Sequence, residues 1–530
     1  MSTSAPDDIL GSYLTALLGW RGVGRPIGGP PGHTPARRRL YGTVLFADLS
    51  GFTAMTEALT ADRSFGPERI SGVLNEQMGS VVGAVHACGG DIIKFAGDAV
   101  LACWPATDRS TRGLALTAAA ASRCGLEIIA RQGRLAPIPG VPDLNMRVGV
   151  ELGLLEVLHL GNAEIRRVLL VTGASVDGAT EACSRAEPGQ LRAGTHVRAA
   201  LHNNSTIGPD GETILDISPS LRALPLPTAP KLPWDPTFSC YLPASVLHRV
   251  RSRQGRWMSE LRAITAVFVR LPALRTGATP ERMNEVFHAT WQPIHRHGGI
   301  VNKLNIDEKG ATVLAVFGLP PEVHEDDAVR ACLAAQDAVK ALSDIGARAQ
   351  VGIATGKAFC GEIGATDRRE YTVIGDAVNT AARLMQAVAQ QDEGEDGATA
   401  VLVDAATAKR SSRRLHLDAR PALRLKGKKA PVQVFAPTTE IGPTPHQRVQ
   451  LVGRDAAVQQ IVAAGRRLLD NHQGSAILVA GGAGLGKSAL VDSVAECIAA
   501  AGCTTVHTCG EPLDQIQPGH AWAPVLARLY

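Results

Sequence analysis

The segment Phe46-Ala47-Asp48-Leu49-Ser50-Gly51-Phe52-Thr53 is answered about fifty residues later by Gly89-Gly90-Asp91-Ile92-Ile93-Lys94-Phe95-Ala96-Gly97-Asp98, and this pair decides the fold. Thr43 to Ala47 is an apolar, β-rich run that reads as a central strand with Asp48 at its end. Ser50 to Thr53 reads as the opening of a helix, whose free N–H groups suit phosphate oxygens. Ile92, Ile93 and Phe95 give a second strand, Gly97 a turn and Val100 to Cys103 a third strand, so Asp98 falls at a hairpin tip. With the first strand beside that hairpin, Asp48 and Asp98 face one point. Two carboxylates completed by phosphate and water are a ligand set that Mg²⁺ accepts. Either aspartate alone reads as a turn residue; the paired pattern carries the metal reading.

The 530 residues suggest three or four domains, each able to bury its own core. A net charge of +4, from 54 basic and 50 acidic residues, gives no electrostatic case for nucleic acid or a membrane surface. The cluster Arg37-Arg38-Arg39 reads as a solvated edge. The 10 cysteines are scattered without metal-ligand spacing and read as reduced thiols of a cytoplasmic protein. Residues 1–10 lack the pattern of a secretory leader, and no apolar run is read as a membrane span.

Residues 1–36 read as an N-terminal arm, with a short helix from Ile9 to Trp20 and a Gly/Pro-rich stretch from Gly22 to Pro35. Residues 37–236 form a first domain, containing an Ala-rich helix from Gly113 to Arg131, a strand from Asn145 to Glu151 that carries Arg147, and a strand from Val168 to Thr172. After a linker over 237–255, a second domain over 256–437 repeats the first. Ala263 to Val269 echoes Thr43 to Ala47, Gly298 to Lys303 echoes Gly89 to Lys94, and Gly375 to Asn379 echoes Gly173 to Asp177. The copies differ where chemistry would sit: Arg270 stands in the place of Asp48, and Asn379 and Arg383 in the places of Asp177 and Glu181. Asn379 and Arg383 are four apart, on one face of a helix, and can touch one ligand. Each copy therefore holds half a site, and a face-to-face pair gives one complete and one degenerate site.

The two opening segments, with Tyr371-Thr372-Val373-Ile374-Gly375-Asp376-Ala377-Val378-Asn379 leading to Arg383, resemble a class III nucleotidyl cyclase, nearest in wording to the soluble, bicarbonate-responsive adenylyl cyclases. The resemblance covers roughly residues 40–437. It implies an α/β fold of two ferredoxin-like cyclase domains in pseudo-two-fold tandem, making cyclic AMP and pyrophosphate from ATP. It implies two Mg²⁺ ions, with Mn²⁺ as a substitute, on Asp48, Asp98 and the Leu49 carbonyl. The outer phosphates go to Ser50, Gly51, Phe52 and Thr53, with Arg147 as a further phosphate contact. Asn379 orients the ribose, Arg383 meets the reacting phosphate, and Lys309 and Thr372, beside Val373, select adenine over guanine. In the degenerate site, Lys94 and Val171 match bicarbonate-binding positions. Thr180 stands where the family has an arginine, and a neutral hydroxyl does not replace a guanidinium, which leaves Arg166 or Arg167 to supply one. Lys94 reads equally as a structural ion-pair partner.

After a linker over 438–450, residues 451–530 carry Gly481-Gly482-Ala483-Gly484-Leu485-Gly486-Lys487-Ser488, preceded by an apolar run from Ala476 to Ala480 that reads as a strand. This is a P-loop signature, with Gly481 and Gly486 shaping the loop and Lys487 and Ser488 serving phosphate and Mg²⁺. The stretch beyond it is too short for a whole NTPase domain, so it reads as the start of a signalling ATPase module like that of the same cyclases. Two rival readings stand. One is a non-catalytic nucleotide or anion sensor that regulates the ATPase; the other is a guanylyl cyclase. With both halves on one chain, a monomer suffices.

Overall fold

The computed structural model describes residues 6–18, 36–51, 67–97, 99–132, 144–162, 166–222, 234–251, 260–274, 278–307, 310–391, 400–412, 414–425, 428, 430–440, 454–471, 473–480 and 487–506. After a short helix α1 (Pro6–Gly11), the first half is built on β1 (Ala36–Ser50), which pairs antiparallel with β3 on one side and β4 on the other. Its elements are α2 (Pro67–Ala87), β2 (Asp91–Ala96), β3 (Ala99–Pro105), α3 (Thr111–Gln132), β4 (Asn145–Asn162), β5 (Arg166–Thr172), α4 (Ala174–Arg185), β6 (Leu191–Ala193) and α5 (Thr195–Leu201). The sheet order is β2-β3-β1-β4-β5, with β6 parallel to β4. A small ribbon, β7 (Ser205–Ile207) with β8 (Ile214–Ile217), and the short helices α6 (Pro219–Arg222) and α7 (Ala244–Arg251) complete it.

The second half repeats this plan with β9 (Glu260–Leu271), α8 (Pro280–Arg296), β10 (Ile300–Asp307), β11 (Gly310–Phe317), α9 (Asp327–Asp344), β12 (Gln350–Gly364), β13 (Arg369–Ile374), α10 (Asp376–Gln391), β14 (Val401–Asp404) and α11 (Ala405–Ser411). Here β15 (Leu415–Leu423) and β16 (Val432–Glu440) extend the sheet to the order β10-β11-β9-β12-β14-β16-β15, with β13 on β12. A separate unit holds α12 (Asp455–Asn471) and α13 (Lys487–Ala500).

The central strands are apolar on both faces because both faces are covered. Leu45, Ala47 and Leu49 of β1 pack into the cluster with α2 and α3, and Val44 into the opposite one with Val157 and Val171. Each such side chain removed from water contributes about 1.5–3 kcal/mol. Both halves bring a helix against their longest strand at a glycine. A methyl on Gly149 would lie 2.1 Å from the Ala179 carbonyl oxygen, and one on Gly352 would lie 2.1 Å from that of Ala381.

The halves meet by reciprocal contacts. Asn75 of α2 accepts the Gly364 N–H at 3.1 Å, and its counterpart Asn284 of α8 accepts the Gly161 N–H at 2.8 Å. Arg368 donates to the Ile92 carbonyl at 3.0 Å, and its counterpart Arg166 donates to the carbonyl of Val301. Matched residues exchanging matched bonds are the mark of a two-fold interface.

Three sequence expectations change. The arm is not one helix from Ile9 to Trp20: α1 ends at Gly11 and a 3₁₀ turn follows at Ala16–Leu18. The Asp91 carboxylate accepts from the Thr15 hydroxyl and from the Ala16 and Leu17 N–H groups at 3.2 and 2.9 Å, and these bonds to a buried acceptor displace a continuous helix. The arginine cluster, by contrast, does stand on an edge: β1 pairs there with β4 alone, and the exposed Arg39 lies 2.8 Å from Glu156 of β4. The Ala476–Ala480 run forms no strand; residues 473–480 have no strand partner among the described residues, and Leu478 is 92 % exposed. Helix α3 is, by length and composition, apolar enough to cross a membrane, but half of it is buried, and Ala118, Cys124 and Ile128 lie in the first core cluster.

Candidate active site

Asp48 stands near the end of β1, opposite Ala99 of β3 and Arg147 of β4. Alternation along the strand puts it on the face of Val44 and Phe46, away from the core that takes Leu45, Ala47 and Leu49. Its carboxylate is largely covered and ion-paired with the Arg147 guanidinium. The β2–β3 register closes at Ala96 opposite Ala99, with Gly97 at φ 75°, a left-handed conformation that glycine adopts without strain. Asp98 lies outside the described residues, as do Phe52 and Thr53 and with them the expected helix start. β1 ends at Ser50, and Gly51 turns at φ 89°. The Leu49 side chain is 1 % exposed, so what it can offer a cation is its carbonyl.

The second half supplies a different chemistry. β13, the single residue Gly375 and α10 form the strand, turn and helix on which Thr372, Asn379 and Arg383 sit. Thr372 is fully buried opposite Gly361 of β12, and its hydroxyl has no hydrogen-bond partner among the described residues. Val373 beside it is buried in the core. Asn379 and Arg383 are half-buried, and among the described residues the buried Nη1 of Arg383 has no partner either. Unpaired buried donors cost free energy, and here they occur at positions expected to meet base and phosphate. Lys309 lies outside the described residues. Among the described residues, no hydrogen bond or ion pair joins Asp48 to Asn379 or Arg383.

Between the halves lies a cavity of about 130 Å³ whose walls come in matched pairs: Lys94 and Lys303, Arg166 and Arg368, Phe95 and Leu304. Lys94 donates to the Asn305 Oδ1 at 2.7 Å, and burial, with Lys303 nearby, pushes its ammonium down to about 8 against the opposing effect of Glu370. Burial likewise lowers Arg166 to about 10. Lys303 lies 3.6 Å from Glu370, and its neighbour Asn302 donates to the Tyr371 carbonyl at 3.2 Å, one residue from Thr372. Val171 is a core residue of β5, opposite Val157, and does not line this cavity. The Thr180 hydroxyl is spent on the Val176 carbonyl of its own helix at 2.9 Å. Of the two arginines that could take the missing role, Arg166 lines the cavity. Sequence reasoning missed Lys303, Arg368 and Glu370, although the echo of Gly89–Lys94 in Gly298–Lys303 marks Lys303.

The catalytic domain of adenylate and guanylate cyclases matches residues 38–216 and 272–436. The chain belongs to this family. It is 31 % identical over 392 residues to adenylate cyclase type 10 of Oryctolagus cuniculus and 30 % identical over 388 residues to that of Homo sapiens, in each case over 65 % of this chain. The chain spans about a quarter of the length of these relatives, 24 %. Over 37 % of its length it is also 32 % identical to the uncharacterized protein Rv1318c of Mycobacterium tuberculosis, 35 % of which is matched. A solved structure similar to this one is a class III adenylyl cyclase-like ATP-binding protein from Pseudomonas aeruginosa, 12 % identical, with a TM-score of 0.45 over 71 % of this chain and 85 % of the other.

The two halves carry unlike side chains at matched places. The pair Asp48/Arg147 is Arg270/Gln350 in the second copy. The hairpin passes two residues between Ala96 and Ala99 but six between Asn305 and Thr312. In the separate unit, Gly481 and Gly486 lie outside the described residues, as do the side chains of Lys487 and Ser488, which begin α13.

Proposed function

We propose that the chain is an adenylate cyclase converting ATP to 3′,5′-cyclic AMP and pyrophosphate at one composite site. The observation that carries this reading is the division of labour across a two-fold frame: a carboxylate at the strand end of one half, buried unpartnered donors on Thr372 and Arg383 of the other. The donor set of Asp48, Asp98 and the Leu49 carbonyl is all oxygen, which suits a hard cation such as Mg²⁺, or Mn²⁺ in its place. When bound, the metal would lower the cost of deprotonating the ribose 3′-hydroxyl and neutralise the departing pyrophosphate.

The protein's own residues would do the rest. The 3′-oxygen attacks the α-phosphorus as the bond to pyrophosphate breaks; Asn379 orients the ribose, and Arg383 meets the charge that builds on the α-phosphate. Arg147, paired with Asp48, would exchange that carboxylate for a phosphate oxygen as substrate arrives. Thr372 and a lysine read the adenine edge. Lys309 and Lys303 are the two candidates for the lysine, and the second is favoured by its place beside the Asn302–Tyr371 contact. Lys94 and Arg166 would take bicarbonate from the axial cavity, a cationic pair on the side where Thr180 offers no guanidinium. The tandem would act as a monomer in cytoplasmic cyclic AMP signalling, with the P-loop segment binding nucleotide in its own unit.

The test is the product formed from ATP and from GTP with Mg²⁺, each with and without bicarbonate. Cyclic AMP from ATP supports the assignment; cyclic GMP alone reverses the base choice. The sensor reading is favoured by the ion pair that already engages Asp48, and it requires nucleotide binding without cyclic product.

A further inference from the structure

The axial cavity is symmetric in its β-strand walls and asymmetric in what covers them. Its remaining wall comes from Tyr13, Leu14, Thr15 and Leu18 of the arm, with Tyr241 to Pro243 of the inter-domain segment. We propose that residues 9–18 are a detachable wall of this cavity, bound in cis across both cyclase halves, whose release opens the cavity to solutes from solution.

The arm touches both halves with different chemistry. On the first half it is held by the buried Asp91 carboxylate, which accepts from the Thr15 hydroxyl and the Ala16 and Leu17 N–H groups. Leu17 inserts into the cluster of Val44, Leu101 and Val157. On the second half the Ser12 carbonyl accepts the Arg369 N–H at 2.8 Å, and Leu10, Tyr13, Leu14 and Leu18 join the cluster of Ile264, Leu314 and Tyr371. The spacing of these residues, 10, 13/14 and 17/18, is that of one apolar face, yet in the structure the face is divided between two domains.

Asp91 has no equivalent charge in the second copy, where Ile300 occupies its place, so this anchor exists on one side of the pseudo-dyad. Between the arm and β1, nine of the fourteen residues from Gly22 to Pro35 are glycine or proline. Such a composition acts as a tether, holding a released arm at high effective concentration and making rebinding intramolecular. A segment fastened by one buried carboxylate, one backbone bond to Arg369 and a short apolar stripe can leave without unfolding either sheet. The strand walls keep their reciprocal Asn75, Asn284, Arg166 and Arg368 bonds when it does.

The experiment uses the full chain with a protease recognition sequence inserted between Gly22 and Pro35. Lysine acetylation by N-acetoxysuccinimide is followed by peptide mass spectrometry, with the exposed Lys409 as internal control. In the uncut protein, Lys94 and Lys303 should react more slowly than Lys409 by at least a factor on the order of ten. After cutting and dilution, the arm should dissociate, faster with Asp91→Asn, and the two cavity lysines should gain most of that factor. A synthetic peptide of residues 6–18 should restore protection. The inference is overturned if the cut arm stays bound even with Asp91→Asn, or if it leaves and Lys94 and Lys303 label no faster. None of these readouts depends on cyclase turnover, so failure of the proposed reaction and failure of the detachable wall are separately visible.

Discussion

The two halves of this chain keep the same frame and share almost none of the same chemistry. Asn75 and Asn284 make one bond twice, and Arg166 and Arg368 another, so the interface has stayed two-fold. Over the same frame, Asp48 faces Arg147 in one sheet where Arg270 faces Gln350 in the other, and α10 carries Asn379 and Arg383 where α4 carries Asp177 and Glu181. The difference teaches that the contacts joining the halves have stayed matched in pairs, while the strand-end and helix positions beside them have not.

Breaking the comparison at its acidic end should have the largest effect. Asp48→Ala should remove nearly all cyclic AMP production, whereas Arg270→Ala at the equivalent place should leave turnover within a few-fold; equal losses would show that the second site is not degenerate. Next, Arg383→Ala should cost about 2.7–4 kcal/mol, 10²–10³ in kcat, as removal of a donor to developing charge does. Its counterpart Glu181→Ala should cost little. A smaller shift is expected in base choice. Thr372→Cys combined with Lys303→Glu should move the ATP/GTP ratio of kcat/KM toward GTP by roughly one to two orders of magnitude, and a ratio that moves only with Lys309→Glu would transfer the role to Lys309.

The last effect is on stability rather than turnover, at another matched pair. His159 of β4 is buried, its Nδ1 2.7 Å from the Tyr241 hydroxyl, and desolvation, with Arg167 nearby, lowers it to about 4. The unfolded chain then binds more protons between about 4 and 6.5, so stability falls as pH drops through that window, by on the order of 3 kcal/mol in full. At the corresponding place Glu362 of β12 has its pKa raised by burial, opposed by Arg369, and the sign reverses: stability falls as pH rises from the ordinary carboxylate value. Urea unfolding of His159→Phe should lack the acid-side slope, and Glu362→Gln should lack the other.

Much of this arrangement is legible in the chain. The hairpin after Ile92, the repeat and the strand-turn-helix from Tyr371 to Arg383 follow from local periodicity and glycine placement, and each of these signals lies within a few residues of what it specifies. The rest depends on distant partners. Nothing near Thr15 announces that a carboxylate some seventy-five residues away takes its N–H neighbours. The Asp48–Arg147 pair follows from cross-strand register, which hydrophobic patterning constrains only by parity. The run at 476–480 has the composition of a strand, but pairing needs a neighbour that the described part of that unit does not supply. Lys303 shows only when the two copies are laid over one another.

The glycines at 149 and 352 set the same limit on both halves. Each lets a helix backbone press directly on its strand, and a methyl group at either place would come within 2.1 Å of a helix carbonyl oxygen. Alanine at either place would therefore drive the helix off its strand, so this one backbone contact limits how far each sheet can be remodelled.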